Sequence, residues 1–394
     1  MTTVLGIMAD DLSGASESVA ALGMRETRTQ IRLGAGASHG PATEVVCVDT
    51  DSRGLRPAAA AAVREAAEAL GDVPVLVKKC DSLLRGNLAV EAVAVGRLLD
   101  RPILVAPSLP ALGRTVRGGV PYVGELRLGE TDLWSGESTT PPASVADLFE
   151  HECVVVDPHA ADAAGRLRTA WQSGAVAIGD AASGDDLRRL ATIALSVDEQ
   201  PLLVGSAALV AAVGDSVLPN QAPAQQHPLP QASSLLYVIG SSSRAARAQI
   251  EQLRPRADRI IHLDPTELLR TAALHGDRAP IDPAVGVTVV QLDPAAEVIP
   301  SQSPLIARAL ASAVQMAAAE ADALFLSGGE TARRVLDLIG VTTLEPVGQI
   351  GHGTAVSVDP DTGRIVITRP GSFGSLTNLV EVLDAVRPSK ESHV

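Results

Sequence analysis

The stretch VPVLVKKCDSLLRGN, residues 73–87, decides how this chain is expected to fold. Its first half is a short apolar run of the kind that forms a strand buried on both faces of a parallel sheet. Its second half gathers polar side chains that a core strand does not need: Lys79, Asp81, Ser82, Arg85 and Asn87. The turn after a parallel strand is where α/β sheets bind ligands. We therefore expect residues 81–87 to face an anionic or hydroxylated ligand.

Similar apolar runs recur along the chain and alternate with Ala-rich helical segments. In the first half they are residues 4–8, 45–50, 73–79, 102–108, 153–158, 175–179 and 201–206. A second series starts at residues 235–240, continues through 321–340 and ends with 364–386. The alternation predicts an α/β fold with two domains, each a mostly parallel sheet covered by helices, and an interdomain cleft.

Residues 215–234 interrupt this alternation with four prolines, four glutamines and no periodic apolar face. Such a composition is typical of an exposed linker. We predict an N-terminal domain over residues 1–217, a linker over 218–233 and a C-terminal domain over 234–394.

Composition limits the classes of protein that fit this chain. A hydrophobic fraction of 46% with only 2% aromatic residues favours an aliphatic α/β core, and a net charge of −14 argues against a nucleic-acid partner. No apolar run approaches the roughly 20 residues that a membrane-spanning helix needs. The N-terminus does not read as a signal peptide, so a cytoplasmic location is expected. Cys47, Cys80 and Cys153 lack a CxxC spacing, which favours free thiols.

The stretch MADDLSGASESVAALG, residues 8–23, is a second place where polar side chains follow an apolar strand. It puts Asp10 and Asp11 at the carboxyl end of that strand, with Gly14 available for a tight turn. One Asp before a helix is commonly its N-cap, which would explain one carboxylate and leave the other unexplained.

Two interpretations of Asp81 and Arg85 remain open. They are spaced to form a structural ion pair across one helical turn. Alternatively, the arginine grips a ligand carboxylate while the aspartate orients or deprotonates a hydroxyl. Arg53, in the strand-end stretch VDTDSRG at 48–54, and Arg114 add further donors. Arg114 lies in residues 106–133, which we expect to be an irregular functional loop because the segment is long and rich in Gly and Pro.

Three turns in the second half suit phosphate. Each is made of small residues, and two of them lie between an apolar strand and a helix, where unpaired backbone N–H groups meet the positive end of the helix dipole. They contain Gly240, Ser241 and Ser243; then Gly328, Gly329, Glu330 and Thr331; and finally Gly371 and Gly374. None is a P-loop or a GxGxxG motif, which lowers the case for a Walker-type nucleotidase or a dehydrogenase.

Seven short motifs occur in order along nearly the whole chain: ADDLSGA, KCDSLLRGN, APSLPALGRTVRGG, VGSAAL, GSSS, LSGGETA and RPGSFG. In this order they resemble the four-carbon acid sugar kinase family, which phosphorylates threonate, erythronate or their oxo derivatives with ATP. The resemblance implies an ATP-dependent sugar-acid kinase of carbohydrate metabolism, with an acid-sugar-binding N-terminal domain and a nucleotide-binding C-terminal domain. The implied partners are a sugar acid, ATP and Mg²⁺, with neither nucleic acid nor membrane; a homodimer stays open.

The resemblance also implies roles for individual residues. By position, the sugar acid would contact Asp10, Asp11, Arg53, Asp81, Ser82 and Arg85. ATP would contact Ser241, residues 328–331 and the turn 371–374. Two positions differ from the usual family pattern, with Leu83 in place of Thr and Arg369 in place of Lys. We expect Leu83 to remove a hydroxyl near the substrate and Arg369 to keep the charge with a changed geometry.

Phosphoryl transfer to a hydroxyl needs in-line positioning, neutralised phosphates and a carboxylate that takes or orients the proton. We expect the substrate carboxylate to meet basic side chains: Arg85, Arg53, Lys79 and Arg114. As the base we prefer Asp81 over Asp10 and Asp11, because a flanking arginine keeps it ionised. The expected acceptor is the terminal hydroxyl, O4. Two other classes remain, a non-catalytic sugar-acid sensor and a nucleotide-independent acid-sugar isomerase or epimerase.

Overall fold

The computed structural model describes residues 3–23, 27–36, 43–55, 57–134, 137, 139–218, 228–241, 243–275, 281–282, 286–293, 295–296, 302–351, 353–371 and 374–387. The chain divides into two compact units, residues 1–223 and 224–394. Of the predicted linker, residues 219–227 lie outside the described residues. The boundaries given above for the two domains stay a prediction.

The strands of the first unit, within the described residues, are β1 (Leu5–Ala9), β2 (Thr29–Leu33), β3 (Val45–Asp49), β4 (Val75–Lys79), β5 (Ile103–Ala106), β6 (Arg114–Arg117), β7 (Val120–Val123), β8 (Leu126–Arg127), β9 (Cys153–Val156), β10 (Val176–Gly179) and β11 (Leu202–Gly205). Its helices there are α1 (Leu12–Ala21), α2 (Ala59–Leu70), α3 (Leu88–Leu99), α4 (Ala163–Gln172), α5 (Gly184–Ser196) and α6 (Ala207–Val217).

The main sheet of the first unit has the order β2-β3-β1-β4-β11-β5-β10-β9, and every neighbouring pair is parallel. The chain leaves β1 towards β2 and β3 and then crosses to β4 on the other side. The gap between β1 and β4 is thus a topological switch point, where α/β sheets open a crevice at their carboxyl edge. Ala9 lies level with both Asp49 and Lys79, so the turns after these three strands emerge side by side.

The strands of the second unit, within the described residues, are β12 (Leu235–Ile239), β13 (Arg259–Leu263), β14 (Val287–Leu292), β15 (Ala323–Ser327), β16 (Thr343–Gln349), β17 (Ala355–Val358) and β18 (Ile365–Arg369). Its helices there are α7 (Arg244–Leu253), α8 (Pro265–His275), α9 (Ser303–Glu320), α10 (Gly329–Leu338) and α11 (Asn378–Val386).

The second sheet has the order β13-β14-β12-β15-β18-β17-β16. Its pairs are parallel from β13 to β18 and antiparallel between β18, β17 and β16. Here the chain leaves β12 towards β13 and β14 and returns to β15 on the other side, which makes a second switch point between β12 and β15. Tyr237 and Phe325 pack across it, with ring centroids 5.2 Å apart.

Both units confirm the predicted α/β fold class, with mostly parallel sheets flanked by helices. The expectation that residues 106–133 form an irregular loop is wrong. They contain β6, β7 and β8, which pair into a small antiparallel sheet. The glycines that suggested irregularity serve its turns, because Gly118, Gly119 and Gly124 all have positive φ angles.

The aliphatic core that the composition predicts fills both units, and the described thiols are free. Cys47 and Cys80 are buried, whereas Cys153 is half-buried. In the described part of the chain, no helix combines the length and the apolarity needed to cross a membrane.

Candidate active site

Asp10 and Asp11 meet one guanidinium at the carboxyl edge of the first sheet. Arg53, on the turn after β3, donates to Asp10 through Nε (2.8 Å, to Oδ2) and Nη2 (3.0 Å, to Oδ1). Its Nη1 donates to Asp11 Oδ2 at 2.8 Å. Asp10 is only 3% exposed, and a fully buried carboxylate needs such a partner. The two aspartates and Arg53 therefore form one fixed unit.

Asp11 has a second role as the N-cap of α1. Its Oδ1 accepts a hydrogen bond from the backbone N–H of Gly14 at 2.8 Å. A Cβ on Gly14 would lie 2.6 Å from that oxygen, so the cap requires glycine there. The capping interpretation of one aspartate is thus correct for Asp11, and contact with Arg53 accounts for both carboxylates.

The turn after β4 carries Asp81 and Arg85 as a two-pronged ion pair. Arg85 Nε donates to Asp81 Oδ2 at 2.6 Å and Nη2 donates to Oδ1 at 3.1 Å. Within the same turn Leu84 has φ +64°, a left-handed conformation that is strained for a leucine. Gly86 has φ +91°, and a Cβ there would lie 3.3 Å from Asp10 Oδ2. A strained turn held against the buried Asp10 is characteristic of ligand-binding sites.

Asn87 ties this turn to the turn that carries Arg53. Its Nδ2 donates to the carbonyl oxygens of Ser52 (2.9 Å) and Arg53 (3.1 Å). In the structure its side chain joins the turns after β3 and β4, so the two ion-pair groups share one rigid edge.

Arg114, the first residue of β6, reaches the same turn. Its Nη1 donates to Ser82 Oγ at 2.6 Å, and its charge interacts with those of Asp81 and Arg85. No carboxylate among the residues described here forms an ion pair with it. Arg117, on the same strand, is a surface residue that pairs with Glu125 at 3.5 Å. Of these two arginines, only Arg114 joins the candidate site.

A buried ion pair lies beneath this edge. Lys78 Nζ is 2.8 Å from Glu91 Oε2, and both side chains are only 1% exposed. Ser52 Oγ donates to Glu91 Oε1 at 2.5 Å, and Lys78 Nζ also donates to the Lys79 carbonyl oxygen at 2.8 Å. Lys79 itself pairs with Glu17 on α1 at 3.3 Å. The pair thereby connects α3, β4 and the turn that carries Arg53.

Glu91 was missed by the sequence interpretation. It stands alone as a carboxylate in the apolar helix segment LAVEAVAVGRLL, and this isolation was the available signal. Its partner cannot be read from sequence, because Lys78 lies on a different element.

The electrostatics of the edge separate the three aspartates. Burial raises the pKa of Asp10, but the charges of Arg53 and Lys78 outweigh it and hold the pKa well below its ordinary value. Burial also raises the pKa of Asp81, yet the hydrogen bonds from Arg85 leave it lowered. For Asp11, burial and the neighbouring Asp10 charge prevail over Arg53, so its pKa is raised. Asp10 and Asp81 are therefore ionised at neutral pH.

Leu83, in the turn after β4, has a buried side chain. Its side chain is 3% exposed and packs in the hydrophobic core, while its carbonyl oxygen accepts from Trp134 Nε1 at 2.8 Å. The expectation that Leu83 removes a hydroxyl near the substrate stays a prediction. The leucine supports the strained turn from below.

In the second unit the three Gly-rich turns follow the adjacent strands β12, β15 and β18. Thr331 packs against Gly240, where an added Cβ would lie 2.5 Å from Thr331 Oγ1. Gly371 lies beside Ser241, because a Cβ on the glycine would be 3.9 Å from Ser241 Cβ. The structure thus brings the predicted residues of all three turns to one edge.

Individual residues of these turns have local roles. Ser243 is the N-cap of α7 and accepts from the Ala246 backbone N–H at 3.2 Å. Gly328 precedes α10 with φ +95°, Gly329 begins that helix, and Glu330 is exposed in its first turn. Ser242 and residues 372–373 of the predicted turns lie outside the described residues.

The described residues contain no group of three or more His, Cys, Asp or Glu side chains that could hold a metal ion. Mg²⁺ is commonly bound through one or two carboxylates, waters and substrate phosphates, so a kinase does not require such a group.

Two domain-family models match the chain. A sugar-binding N-terminal domain matches residues 5–213, and a nucleotide-binding C-terminal domain matches residues 236–379. Together with two α/β units that each present polar turns at a switch point, these matches define a class: kinases that phosphorylate sugar acids.

Similar proteins over nearly the whole length are named kinases. A D-threonate kinase of Cupriavidus necator is 32% identical over 98% of both chains. A 3-oxo-tetronate kinase of the same organism is 26% identical over 94% of both chains. A Haemophilus influenzae protein of known structure has the same fold, with a TM-score of 0.70 at 19% identity over 95% of this chain and 98% of its own. The chain belongs to the four-carbon acid sugar kinase family.

Proposed function

We propose that this protein transfers the terminal phosphoryl group of ATP to the O4 hydroxyl of D-threonate. The observation that carries the proposal is the joined edge of the first unit, where Asp10, Asp11 and Arg53 adjoin the Asp81–Arg85 pair. The edge offers both basic groups for a carboxylate and acidic groups for hydroxyls. The substrate choice is supported by the 32% identical relative, which is a D-threonate kinase.

Arg114 and Arg85 are the proposed partners of the substrate carboxylate. Arg114 has only the neutral Ser82 hydroxyl as a side-chain contact among the described residues. A guanidinium at such a site gains most from binding a carboxylate, because the bond is charge-assisted and forms without breaking an existing ion pair. Arg53 is proposed to hold Asp10 and Asp11 in place rather than to bind the substrate carboxylate itself, since its Nε, Nη1 and Nη2 each donate to one of the two aspartates.

Asp81 is the proposed base. It becomes available when Arg85 exchanges the Asp81 carboxylate for the carboxylate of the substrate. In the structure both of its oxygens are bound by Arg85. When the substrate carboxylate takes over the Arg85 fork, Asp81 loses hydrogen bonds that lower its pKa and becomes a better acceptor. One oxygen is then free for the attacking hydroxyl. Asp10 and Asp11 remain locked on Arg53 and orient the other hydroxyls.

The turns of the second unit are the proposed ATP site. Ser241, residues 328–331, Gly371 and Gly374 lie at the edge of β12, β15 and β18, and α10 begins there with the positive end of its helix dipole. Mg²⁺, when bound to the phosphates, supplies charge neutralisation.

A substrate panel tests the proposal. With MgATP, we expect ADP formation to be fastest with D-threonate and slower with L-threonate, D-erythronate and 3-oxo-tetronate, and phosphorus NMR should assign the product as the 4-phosphate. Faster ADP formation with 3-oxo-tetronate would instead assign the substrate of the relatives that are named 3-oxo-tetronate kinases. No ADP formation with any of the four acids would refute the kinase proposal, and sugar-acid binding without it would favour the sensor.

Replacing Arg114 with Met should raise the KM for the sugar acid at least tenfold with a smaller change in kcat. The reason is the loss of a charge-assisted bond to the substrate carboxylate, worth about 1.5–3 kcal/mol. Steady-state kinetics at saturating ATP measure it. Arg117→Met on the same strand is the matched control and should leave KM unchanged, because Arg117 is a surface residue that pairs with Glu125. Equal effects of the two substitutions would contradict the role of Arg114.

A further inference from the structure

Arg369, the last residue of β18, is a buried cation to which no described residue supplies a counter-charge. Its side chain is among the largest that are fully buried, at 1% exposure. Nη1 donates to Gln249 Oε1 (3.0 Å) and Asn378 Oδ1 (2.8 Å), and Nη2 makes a long contact of 3.4 Å to Ser327 Oγ. Nε is buried with no hydrogen-bond partner. Among the described residues its partners are neutral, and no carboxylate forms an ion pair with it.

Such an arrangement is costly for an unliganded protein. A buried charge normally has an opposite charge beside it, because desolvation is otherwise uncompensated. The Phe325 ring, 5.2 Å from the guanidinium carbon, offsets only part of this cost. Burial lowers the pKa of Arg369 to about 10, which still leaves it charged at neutral pH. The charge is therefore present and lacks an anion.

The surroundings of Arg369 are suited to a phosphate group. The backbone N–H of Gly328 donates to the Arg369 carbonyl oxygen at 2.8 Å, so the guanidinium and the start of α10 share one corner of the sheet edge. The N-terminus of α10 provides the positive end of the helix dipole, which favours a negative charge. Nη2 makes a long contact to Ser327, which is weak as a hydrogen bond. It is therefore the nitrogen that would most readily donate to a stronger acceptor such as a phosphate oxygen.

Arg369 also lies against Gly374. A Cβ on Gly374 would lie 2.5 Å from Arg369 Nη1, so glycine is needed at this position beside the guanidinium. Gln249, which accepts from Arg369, donates through Nε2 to the carbonyl oxygens of Gly374 (3.1 Å) and Ser375 (2.8 Å). The cation, the amide and the turn thus form one hydrogen-bonded group.

We propose that Arg369 is an anion-binding residue whose counter-charge is the polyphosphate of a bound nucleotide, held between the N-terminus of α10 and the turn at Gly374. This inference rests on the proposed ATP site and adds the residue that supplies its buried positive charge. The ligand class is a di- or triphosphate, and the recognised feature is the phosphate charge rather than the base.

Arg369→Met is the principal test, with inorganic tripolyphosphate, ATP and adenosine as probes. We expect tripolyphosphate and ATP to raise the Tm of the wild-type protein and their Kd values, measured by calorimetry, to be at least tenfold weaker in the variant. Any binding of adenosine should be unchanged. Without ligand, the variant should be at least as stable as wild type, because it loses an uncompensated buried charge. A purely structural arginine would instead lower the Tm of the unliganded protein.

Arg369→Lys keeps the positive charge, and its phosphate affinity is measured in place of that of Arg369→Met if the Met variant does not fold. We expect the lysine variant to bind tripolyphosphate within about threefold of wild type; a loss above tenfold would overturn the proposal. Unchanged ATP and tripolyphosphate affinities in Arg369→Met would also overturn it and leave the ATP assignment standing. Arg369-dependent binding of tripolyphosphate without ATP binding would support the anion site and refute the nucleotide assignment. Wild-type protein that binds neither phosphate compound would refute both.

Discussion

Asp81→Asn is expected to lower kcat for sugar-acid phosphorylation at least a hundredfold. Asparagine keeps the size and one acceptor oxygen of the side chain but cannot take a proton, and general-base catalysis is usually worth 10²-fold or more. The substitution also leaves Arg85 without its partner, so that the guanidinium is free for the substrate carboxylate. We therefore expect the KM for the sugar acid to stay constant or to fall, as measured by steady-state kinetics.

The opposite pattern would identify a different role for Asp81. A residue that only holds Arg85 in place would, when replaced, raise KM and spare kcat. Asp11→Asn is the matched comparison, because the one oxygen of asparagine still caps α1, while the substitution removes a carboxylate as Asp81→Asn does. If Asp11→Asn reduced kcat a hundredfold while Asp81→Asn reduced it less than tenfold, the base would be Asp11, whose pKa is raised.

The edges of the two sheets could be predicted because the sequence marks them directly. An apolar run that ends in several polar residues identifies the carboxyl end of a buried parallel strand, and this pattern located the turns that contain Asp10, Asp81 and Ser241. The carboxyl ends of parallel strands share an edge, so the grouping of these turns within each unit followed from fold class alone. The chemical roles given to these residues stay predictions.

Several features of the site could not be predicted, because they depend on contacts between residues that are far apart in the sequence. Glu91 and Lys78 lie on different elements, and nothing in the local pattern states that they pair. Arg369 ends a strand whose neighbours in sequence do not reveal that its surroundings are neutral. The antiparallel strands β6 to β8 were missed because the glycines of their turns dominate the local composition. The pairing of Arg53 with two aspartates was likewise not evident from the sequence, and its contact with the ligand stays a prediction.

Glu91→Gln should lower the free energy of unfolding by about 3–5 kcal/mol at pH 7, which is the usual cost of breaking a buried ion pair. The pair with Lys78 is nearly inaccessible to solvent, so the remaining ammonium has no water to compensate it. The amide oxygen of the new side chain would still accept from Ser52, which separates the loss of charge from the loss of that hydrogen bond. Urea unfolding measures the change, and the midpoint should fall with little change in slope.

The pH dependence and a double variant separate the charge effect from a packing effect. Burial lowers the pKa of Lys78, but Glu91 and Asp10 outweigh it and raise the folded-state pKa above its ordinary value. In wild type this group therefore stabilises the fold below about pH 10.4, the unfolded value, and the contribution is lost only as pH rises through the folded pKa. In Glu91→Gln burial prevails and the folded pKa falls below the unfolded one, so the deficit should shrink as pH rises through the folded pKa towards about pH 10.4, the unfolded value. Lys78→Met/Glu91→Gln should recover most of the lost stability, because no unpaired charge remains. A deficit that is independent of pH and persists in the double variant would mean that packing, rather than the ion pair, stabilises this edge.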